Sequence, residues 1–458
     1  MEKEVELSVH LDPDQLVYYP GERLSGFVRL FLNEELEMKC LRVEFSGYAS
    51  CQWRENSNAS LSNANEKIVK KEACLFGSLK SNNNNNNNNN GQRFSHAAGE
   101  HSYPFAFHLP TDLPTSLEHV PRDTAGEEVT GARGYIRYMV TATIEQPWAA
   151  GFKSKRPVVI NEQIDTNSDQ YINGPGSELS EKSTSRCRCF GKRKKQDVEF
   201  AACVDRACYC SGEPILLNAR ISNRSSGTLS ALRAEIRQEV RYKFSGRTKA
   251  FDSVLDDLKG PDIQKGVSLS WQNLPFVIPP AAPTISNSKV ISVKYELRFR
   301  VELSSGKVKT IVLPLVIGTV PHQGVYGNLL LHNKMLPPAL GLKDLKFPVP
   351  APSIFSTVEE SNLSLRSAPD DNDDDDATGE TPTPTTTESL FRRREVVYGY
   401  CKPVDSGRVR ATDEDEGIWN GDVYTPLYTY VKIAREIPKE NDLSPTVPDP
   451  KHLINITV

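Results

Sequence analysis

Apolar and polar residues alternate along much of the first 320 positions of the chain. Between positions 293 and 303 every second residue is apolar, and the residues between them are charged. Successive side chains of a strand point to opposite faces, so this pattern gives one apolar and one charged face. Positions 5–9, 41–45 and 136–144 carry the same alternation. We predict half-buried antiparallel strands at all four places.

Positions 232–244 also have to be assigned to a strand or a helix. Charged residues fall on every second position there, among them Arg233, Glu235, Arg237 and Glu239. A helix would stack like charges four residues apart, Arg233 on Arg237 and Glu235 on Glu239, which is unfavourable. We therefore predict a strand, and we interpret its charges as a solvated strand face, as we do for Arg137.

A short pattern occurs twice in the chain. Tyr18-Tyr19-Pro20-Gly21-Glu22 returns 191 positions later as Tyr209-Cys210-Ser211-Gly212-Glu213, and an extended apolar run follows each copy. Only glycine reaches φ > 0 without steric cost, so Gly21 and Gly212 are interpreted as turn residues and not as ligand contacts. This repeat predicts a duplicated module. Two further pairs keep the same order: Phe107-His108-Leu109-Pro110 with Phe276-Val277-Ile278-Pro279, and the strand at Tyr138 with that at Tyr295.

The predicted strands are short, numerous and separated by turns that contain Gly, Pro and Ser, and neither copy contains a long amphipathic helical stretch. This favours an all-β chain with two antiparallel immunoglobulin-like β-sandwiches. We expect sandwiches at residues 1–160 and 197–320, with a linker that carries a basic run at 161–196. Residues 321–458 are rich in Pro, Ser, Thr and Asp, which predicts a largely disordered tail.

Composition limits the class of protein. The chain has 458 residues and a formal net charge of −4, too small to require a nucleic-acid partner. No stretch reaches the roughly 20 apolar residues that a helix needs to cross a bilayer, and the N-terminus does not resemble a signal peptide. These features predict a cytoplasmic protein. Its nine cysteines then read as reduced thiols.

Five stretches carry a resemblance to a known family: residues 19–28 (YPGERLSGFV), 103–110 (YPFAFHLP), 113–118 (LPTSLE), 134–138 (GYIRY) and 146–148 (QPW). Their order and spacing resemble the arrestin N-terminal domain, and the chain is most similar to α-arrestins, the arrestin domain-containing proteins. The resemblance covers about residues 5–320. It implies two arrestin sandwiches without catalytic activity or cofactor, in an adaptor that binds membrane receptors or transporters as cargo and recruits trafficking or ubiquitylation machinery. One departure is the inserted segment at residues 119–133.

The tail of an α-arrestin usually carries Pro-Pro-x-Tyr, which binds the WW domains of ubiquitin ligases. No intact copy is present here. Thr425-Pro426-Leu427-Tyr428 keeps one Pro and the Tyr, within an aromatic-rich island of an acidic tail. These four residues are the candidate partner-binding motif, since aromatics in a tail without a core are explained by a partner. An inert tail remains the alternative.

The predicted linker contains a second candidate site. Cys187 and Cys189 precede four consecutive basic residues, Lys192, Arg193, Lys194 and Lys195. An acyl chain together with a polybasic patch anchors a protein to a membrane far better than either alone, which predicts contact with the plasma membrane and endosomes. Two alternatives stay open: a solvated hinge with ordinary thiols, and a zinc site, for which the single-residue Cys gaps are atypical.

Two other classes compete with the adaptor. An enzyme is disfavoured because the histidines are scattered and neither H-E-x-x-H, G-x-S-x-G nor a Gly-rich phosphate loop occurs. We therefore expect no catalytic residues, no bound metal and no cofactor. The other alternative is a retromer-type sorting or scaffold protein with an arrestin fold that recruits no ubiquitin ligase.

Overall fold

The computed structural model is built almost entirely of β-strands. It describes residues 4–15, 17–56, 59–78, 93–147, 151–172, 198–225, 227–322, 396–401, 418–419, 422–433 and 454–457. Two β-sandwiches account for most of these residues, as the alternating pattern predicts. The all-β class is thus confirmed.

The first sandwich packs a three-stranded sheet, in the order β1-β2-β7, against a larger sheet in the order β10-β9-β4-β5, in which β8 also pairs with β9. The pairings within these two sheets are antiparallel. Its strands are β1 (Val5–Leu11), β2 (Arg23–Leu32), β3 (Leu36–Met38), β4 (Cys40–Trp53), β5 (Ser62–Gly77), β6 (Phe94–His96), β7 (Gly99–His108), β8 (Leu117–His119), β9 (Arg133–Glu145) and β10 (Lys153–Val158).

The second sandwich follows the same plan. One sheet has the order β11-β13-β16 and the other the order β12-β18-β17-β14-β15, with β12 parallel to β18. Its elements are α1 (Asp169–Ile172), β11 (Val198–Val204), β12 (Cys208–Cys210), β13 (Pro214–Asn223), β14 (Ser230–Phe244), β15 (Arg247–Lys259), β16 (Ser268–Val277), β17 (Ile291–Glu302) and β18 (Val308–Gly318).

Parts of the tail also form strands. The last strand, β23, extends the second sandwich by pairing antiparallel with β16, and β22 pairs with β19. These segments depart from the expectation of a tail without secondary structure; much of residues 321–458 lies outside the described part. The tail strands are β19 (Val396–Cys401), β20 (Ile418–Trp419), β21 (Asp422–Val423), β22 (Tyr428–Ile433) and β23 (Ile454–Thr457).

The faces predicted for β17 are confirmed. Leu297 and Phe299 are fully buried, whereas Lys294 between the apolar positions is exposed. Because each buried side chain removes apolar surface from water, this face stabilises the sandwich by roughly 1.5–3 kcal/mol per Leu or Phe. The strand predicted at 232–244 is observed as β14, but its charges do not all lie on a solvated face: Glu235 is buried and pairs with Arg237 and Arg300.

The echoed turns have the same hydrogen bonds. The Glu22 carboxylate accepts from the Tyr19 amide at 2.9 Å, and the Glu213 carboxylate accepts from the Cys210 amide at 3.1 Å. In each copy the carboxylate thus closes a turn onto the amide three positions before it. The predicted duplication is visible in local geometry.

The paired tyrosines repeat as well. Tyr138 on β9 donates its hydroxyl to Pro114 O, and Tyr295 on β17 donates to Ala282 O, both at 2.6 Å. A buried hydroxyl needs such an acceptor, because an unsatisfied one costs about 1–3 kcal/mol. Each tyrosine therefore ties the centre of its sheet to the loop that crosses over it.

Candidate partner-binding site at the domain junction

Three loops of the two sandwiches meet at one place, which we call the junction cleft: residues 115–116 before β8, residues 158–161 at the end of β10, and residues 211–212 after β12. The first two are held together by reciprocal bonds, since Ser116 N donates to Ile160 O at 2.7 Å and Ile160 N donates to Ser116 Oγ at 2.9 Å. Ser116 and Ile160 are both fully buried. The cleft is therefore lined by fixed backbone groups.

Tyr424 of the tail enters this cleft. Its hydroxyl donates to Val158 O at 2.7 Å and lies 2.8 Å from Ser116 Oγ. Because the single phenolic proton goes to Val158 O, the Ser116 hydroxyl donates to the Tyr424 oxygen. Burial raises the pKa of Tyr424 well above its ordinary value, so the phenol stays protonated.

Tyr428 lies in the same cleft, further along the tail than Tyr424. It is fully buried, and its hydroxyl donates to Ser116 O at 2.9 Å. Between the two tyrosines Pro426 is buried, and Leu427 O accepts a hydrogen bond from Asn161 Nδ2 at 3.0 Å. The fully buried Asn161 is thereby directed at the tail backbone rather than at a side chain.

The next residues of the tail contact the second sandwich. Val431 N donates to Ser211 O at 2.8 Å, and Tyr430 forms a parallel bridge with Ser211. Gly212 has φ of 89°, and a Cβ there would lie 1.9 Å from Val431 O. Glycine is thus required twice, by the turn and by the close approach of the tail.

The equivalent Gly21 shows how the two copies differ. Its φ is 87°, but a Cβ there would meet its nearest neighbour, Thr111 Cγ2, at 3.6 Å, an ordinary contact. The turn chemistry is therefore shared, whereas the close approach of the tail is seen at Gly212. The interpretation of Gly212 as a turn residue alone missed this contact.

The four residues of the candidate motif fall within the docked segment. Pro426 and Tyr428 are buried, and Thr425 and Leu427 are half-buried. The premise that the tail aromatics lack a core was wrong for Tyr424 and Tyr428, which pack within the chain itself. That the motif binds an external partner stays a prediction.

A histidine of the inserted segment forms a second contact between the sandwiches. His119 Nδ1 lies 2.7 Å from the Tyr242 hydroxyl, and the ring of His119 also contacts Phe251. Trp53 packs against the other side of Tyr242. Burial lowers the pKa of His119 to about 3, so the imidazole is neutral at physiological pH.

Arg137 corrects one prediction. It was assigned to a solvated strand face, but only 6% of it is exposed. Its guanidinium pairs with both carboxylate oxygens of Glu118, with Nη2 at 3.0 Å from Oε2, and stacks over the Tyr135 ring at 4.0 Å. The periodic pattern could not show this, because Glu118 comes from β8, which the alternation did not predict.

Several buried cysteines are unsuited to ionisation. Burial raises the pKa of Cys51 to about 11 and that of Cys208 to about 12, and it raises that of Cys210 well above its ordinary value. No group of three or more ligating side chains occurs in the described part of the chain. Cys187, Cys189 and the basic residues 192–195 lie outside the described residues.

A groove of about 280 Å³ lies on the outer face of the first sandwich, across β4, β9 and β10. Tyr48 and Tyr135 supply aromatic surface, and Lys153 and Lys155 supply positive charge. Tyr48 is 40% exposed. The groove is open to solvent, and its lining contains more cationic than acidic side chains, with Glu44 as its acidic residue, which suits a peptide carrying acidic residues.

Within the described ranges, the structure contains no helix with the length and apolarity needed to cross a membrane.

Two domain families match the chain. The family described as arrestin (or S-antigen), N-terminal domain, matches residues 7–167, and the corresponding C-terminal domain family matches residues 194–322. Among curated proteins, arrestin domain-containing protein 4 of Homo sapiens is 29% identical over 308 residues, covering 67% of this chain and 69% of that protein.

Further relatives agree. Arrestin domain-containing protein 17 of Caenorhabditis elegans is 27% identical over 338 residues, covering 70% of this chain and 71% of that protein. Thioredoxin-interacting protein of Homo sapiens is 24% identical over 308 residues, covering 67% of this chain and 72% of that protein. With both domain families matched in order, the chain belongs to the arrestin family, among the arrestin domain-containing proteins or α-arrestins.

Proposed function

We propose that the chain is a non-catalytic cytoplasmic adaptor that binds a membrane receptor or transporter as cargo and links it to endocytic trafficking and ubiquitylation machinery. The observation that supports this most is the pair of arrestin domains, matched over residues 7–167 and 194–322 in one chain. Proteins of this family act in general as adaptors. The domain layout 1–160, 161–196, 197–320 and 321–458 is part of the proposal.

The groove on the first sandwich is the proposed cargo surface. Its lysines, Lys153 and Lys155, lie beside Tyr48 and Tyr135. The cytoplasmic part of a membrane protein, as an extended peptide with acidic residues, would place its charges on the lysines and its apolar side chains on the rings.

The tail motif Thr425-Pro426-Leu427-Tyr428 is the proposed contact for WW-domain ubiquitin ligases. The WW groove requires the tyrosine and the polyproline geometry to be exposed. Tyr428 is fully buried in the junction cleft, so the motif has to leave the cleft before it binds. The same burial favours the second candidate, a sorting or scaffold protein of arrestin fold without ligase recruitment.

The basic linker is the proposed membrane contact. Cys187 and Cys189 as acylation sites, with residues 192–195 as a polybasic patch, would hold the adaptor at the plasma membrane and endosomes. Each basic residue near an anionic surface contributes about 1 kcal/mol, so the patch alone gives weak binding and an acyl chain makes it durable.

A peptide comparison separates the two candidates. A synthetic peptide of residues 420–434 is titrated with WW domains of ubiquitin ligases, next to the Thr425→Pro and Tyr428→Ala peptides. Ligase recruitment predicts measurable binding by the natural peptide, at least about tenfold tighter binding by Thr425→Pro because the polyproline geometry is restored, and none by Tyr428→Ala. If the natural peptide fails to bind and Tyr428→Ala leaves cargo ubiquitylation in cells unchanged, the scaffold without ligase recruitment is supported instead.

A further inference from the structure

We propose that the junction cleft is a peptide-binding site that recognises Tyr-x-Pro-x-Tyr followed by a short strand, and that residues 424–431 of the same chain are its resident ligand. The inference goes beyond the proposed function, because it concerns what the arrestin body itself binds. Its basis is a set of contacts between the tail and the body that involve both sandwiches.

The cleft distinguishes tyrosine from phenylalanine at both positions. The two hydroxyls donate to main-chain oxygens, Val158 O and Ser116 O, which the loops of the body hold in place. Tyr424 is 2% exposed and Tyr428 is fully buried. A phenylalanine at either position would leave a buried carbonyl without its donor, and sites built on such bonds discriminate strongly against analogues that lack the hydroxyl.

The backbone between the tyrosines is also recognised. Asn161 Nδ2 holds Leu427 O at 3.0 Å, while Pro426 is buried between the two rings. Asn161 Oδ1 is a buried acceptor without a hydrogen-bond partner among the described residues. A fully buried polar side chain aimed at the tail is costly unless the tail is bound, so Asn161 is a binding residue and not a packing residue.

A phosphorylated tyrosine does not fit this cleft. At both hydroxyl positions a main-chain oxygen accepts the phenolic proton, Val158 O for Tyr424 and Ser116 O for Tyr428, and both phenols are closed off from solvent. A phosphate there would set anionic oxygens against carbonyl oxygens in a space closed to water. The cleft therefore selects the unmodified tail, and phosphorylation of a tail that has left the cleft would prevent its return.

The strand that follows adds a requirement for the second sandwich. Val431 N donates to Ser211 O, and Gly212 leaves room for Val431 O where any side chain would collide. The ligand thus contacts the first sandwich through residues 424–428 and the second through residues 430–431. Because it binds only when both surfaces are in register, its binding stabilises this arrangement of the domains.

Gain of binding in the full-length chain tests the proposal. A fluorescent peptide of residues 420–434 is titrated, by anisotropy, into the wild-type chain and into the Tyr424→Ala/Tyr428→Ala chain. The double substitution empties the cleft without altering the body, so the peptide should bind this variant at least about tenfold more tightly than the wild type, whose cleft is occupied. Equal binding to both chains, or no binding to the double variant, would overturn the proposal.

Four controls locate the binding. Adding Asn161→Ala to the double variant should weaken the binding of the peptide, and a peptide with phosphorylated Tyr428 should not bind to the double variant. Thr429→Ala, on the same tail strand and half-buried, should behave as wild type. If the double variant melts at a much lower temperature than wild type, the Tyr428→Phe chain is used in its place, because it keeps the ring and loses only the hydroxyl. We expect this chain to bind the peptide more tightly than wild type and less tightly than the double variant. Binding no tighter than that of wild type would contradict the site.

One consequence rests on the proposed function: a tail in the cleft and a tail on a WW domain exclude each other. WW domains should then bind the free peptide at least about tenfold more tightly than the wild-type chain. The hypothesis of ligase recruitment and the hypothesis of the occupied cleft can be refuted independently of each other. A free peptide that binds no WW domain refutes ligase recruitment and leaves the cleft intact, whereas equal WW binding to peptide and chain refutes the occupied cleft.

Discussion

At the scale of single residues, Ser116 joins body and tail. Its Oγ accepts from Ile160 N and donates to Tyr424, and its carbonyl accepts from Tyr428. Two of these bonds come from the tail, so loss of the tail leaves the hydroxyl and the carbonyl of Ser116 to be satisfied again. Since each unsatisfied buried group costs about 1–3 kcal/mol, docking is favoured by chemistry internal to the body.

His119 allows a test at the same scale. Folded His119 has its pKa lowered to about 3, whereas an unfolded histidine titrates near about 6.5. As the pH falls below the pKa of His119 in the unfolded chain, the unfolded chain binds a proton there and the folded chain does not. The free energy of unfolding therefore decreases. Between about pH 7.5 and about pH 5.5, urea unfolding should show about 1.4 kcal/mol more loss in wild type than in His119→Gln.

The other histidines cancel in this comparison, because both chains contain them. Parallel pH profiles for wild type and His119→Gln would show that His119 is protonated in the folded protein and that its contact with Tyr242 does not exclude the charged form.

At the scale of elements, β17 shows how an alternating strand specifies its own orientation. One residue of slip would turn Leu297 and Phe299 to solvent and place Lys294 in the core, so the register is fixed by burial. Its two neighbours are β14 and β18, and on β18 the burial alternates as well, with Ile311 and Leu313 buried and Val312 exposed. The two alternating strands therefore support one another's face assignment.

Charge on the apolar face should unfold a sandwich. Leu297→Asp places an unpaired carboxylate at a fully buried position, and we expect a loss of at least about 4 kcal/mol, enough to abolish the second domain's cooperative unfolding transition. Lys294→Asp, at an exposed position of the same strand, should cost less than about 1 kcal/mol. Ile136→Asp is the equivalent change in the first domain. Thermal unfolding followed by circular dichroism measures all three, and a cooperatively folded Leu297→Asp chain would contradict the face assignment.

At the scale of the whole molecule, several contacts join the two domains in the described part of the chain. His119 meets Tyr242, the Glu66 carboxylate accepts from the Ser288 hydroxyl and the Lys289 amide, and the docked tail contacts both sandwiches. Residues 161–172, which the sequence assigns to the linker, also pack against the end of the second sandwich: Ile164 N donates to Thr319 Oγ1 at 2.9 Å. The relative position of the two sandwiches therefore depends also on the segment between them and on the tail.

The membrane prediction belongs to this scale. Replacing residues 192–195 by neutral ones removes about 1 kcal/mol of attraction per basic residue, so the membrane-bound fraction in cell fractionation should fall several-fold. Cys187→Ser/Cys189→Ser should lower it further if both thiols carry acyl chains, whereas Cys74→Ser, at an exposed thiol of β5, should not. If both linker variants distribute like wild type, the linker is an ordinary hinge.

The sequence by itself determined the all-β class, the duplication and the apolar faces of the strands. These follow from local rules: period-two burial, the need for glycine at Gly21 and Gly212, and a turn closed by a carboxylate three residues away. Each rule acts within a few residues, so it is legible in one stretch of chain. The Thr425–Tyr428 segment was found for the same reason, as an aromatic island.

Only the tertiary structure decided where that segment lies. Tyr428 and Ser116 are 312 positions apart in the sequence. Arg137 is buried because it pairs with Glu118 on β8, a strand that the alternating pattern does not predict. Neither contact has a local signature, because burial between domains depends on which surfaces the fold brings together. The sequence marks Tyr428 as a candidate contact residue; the fold shows that it contacts the cleft between the chain's own two domains.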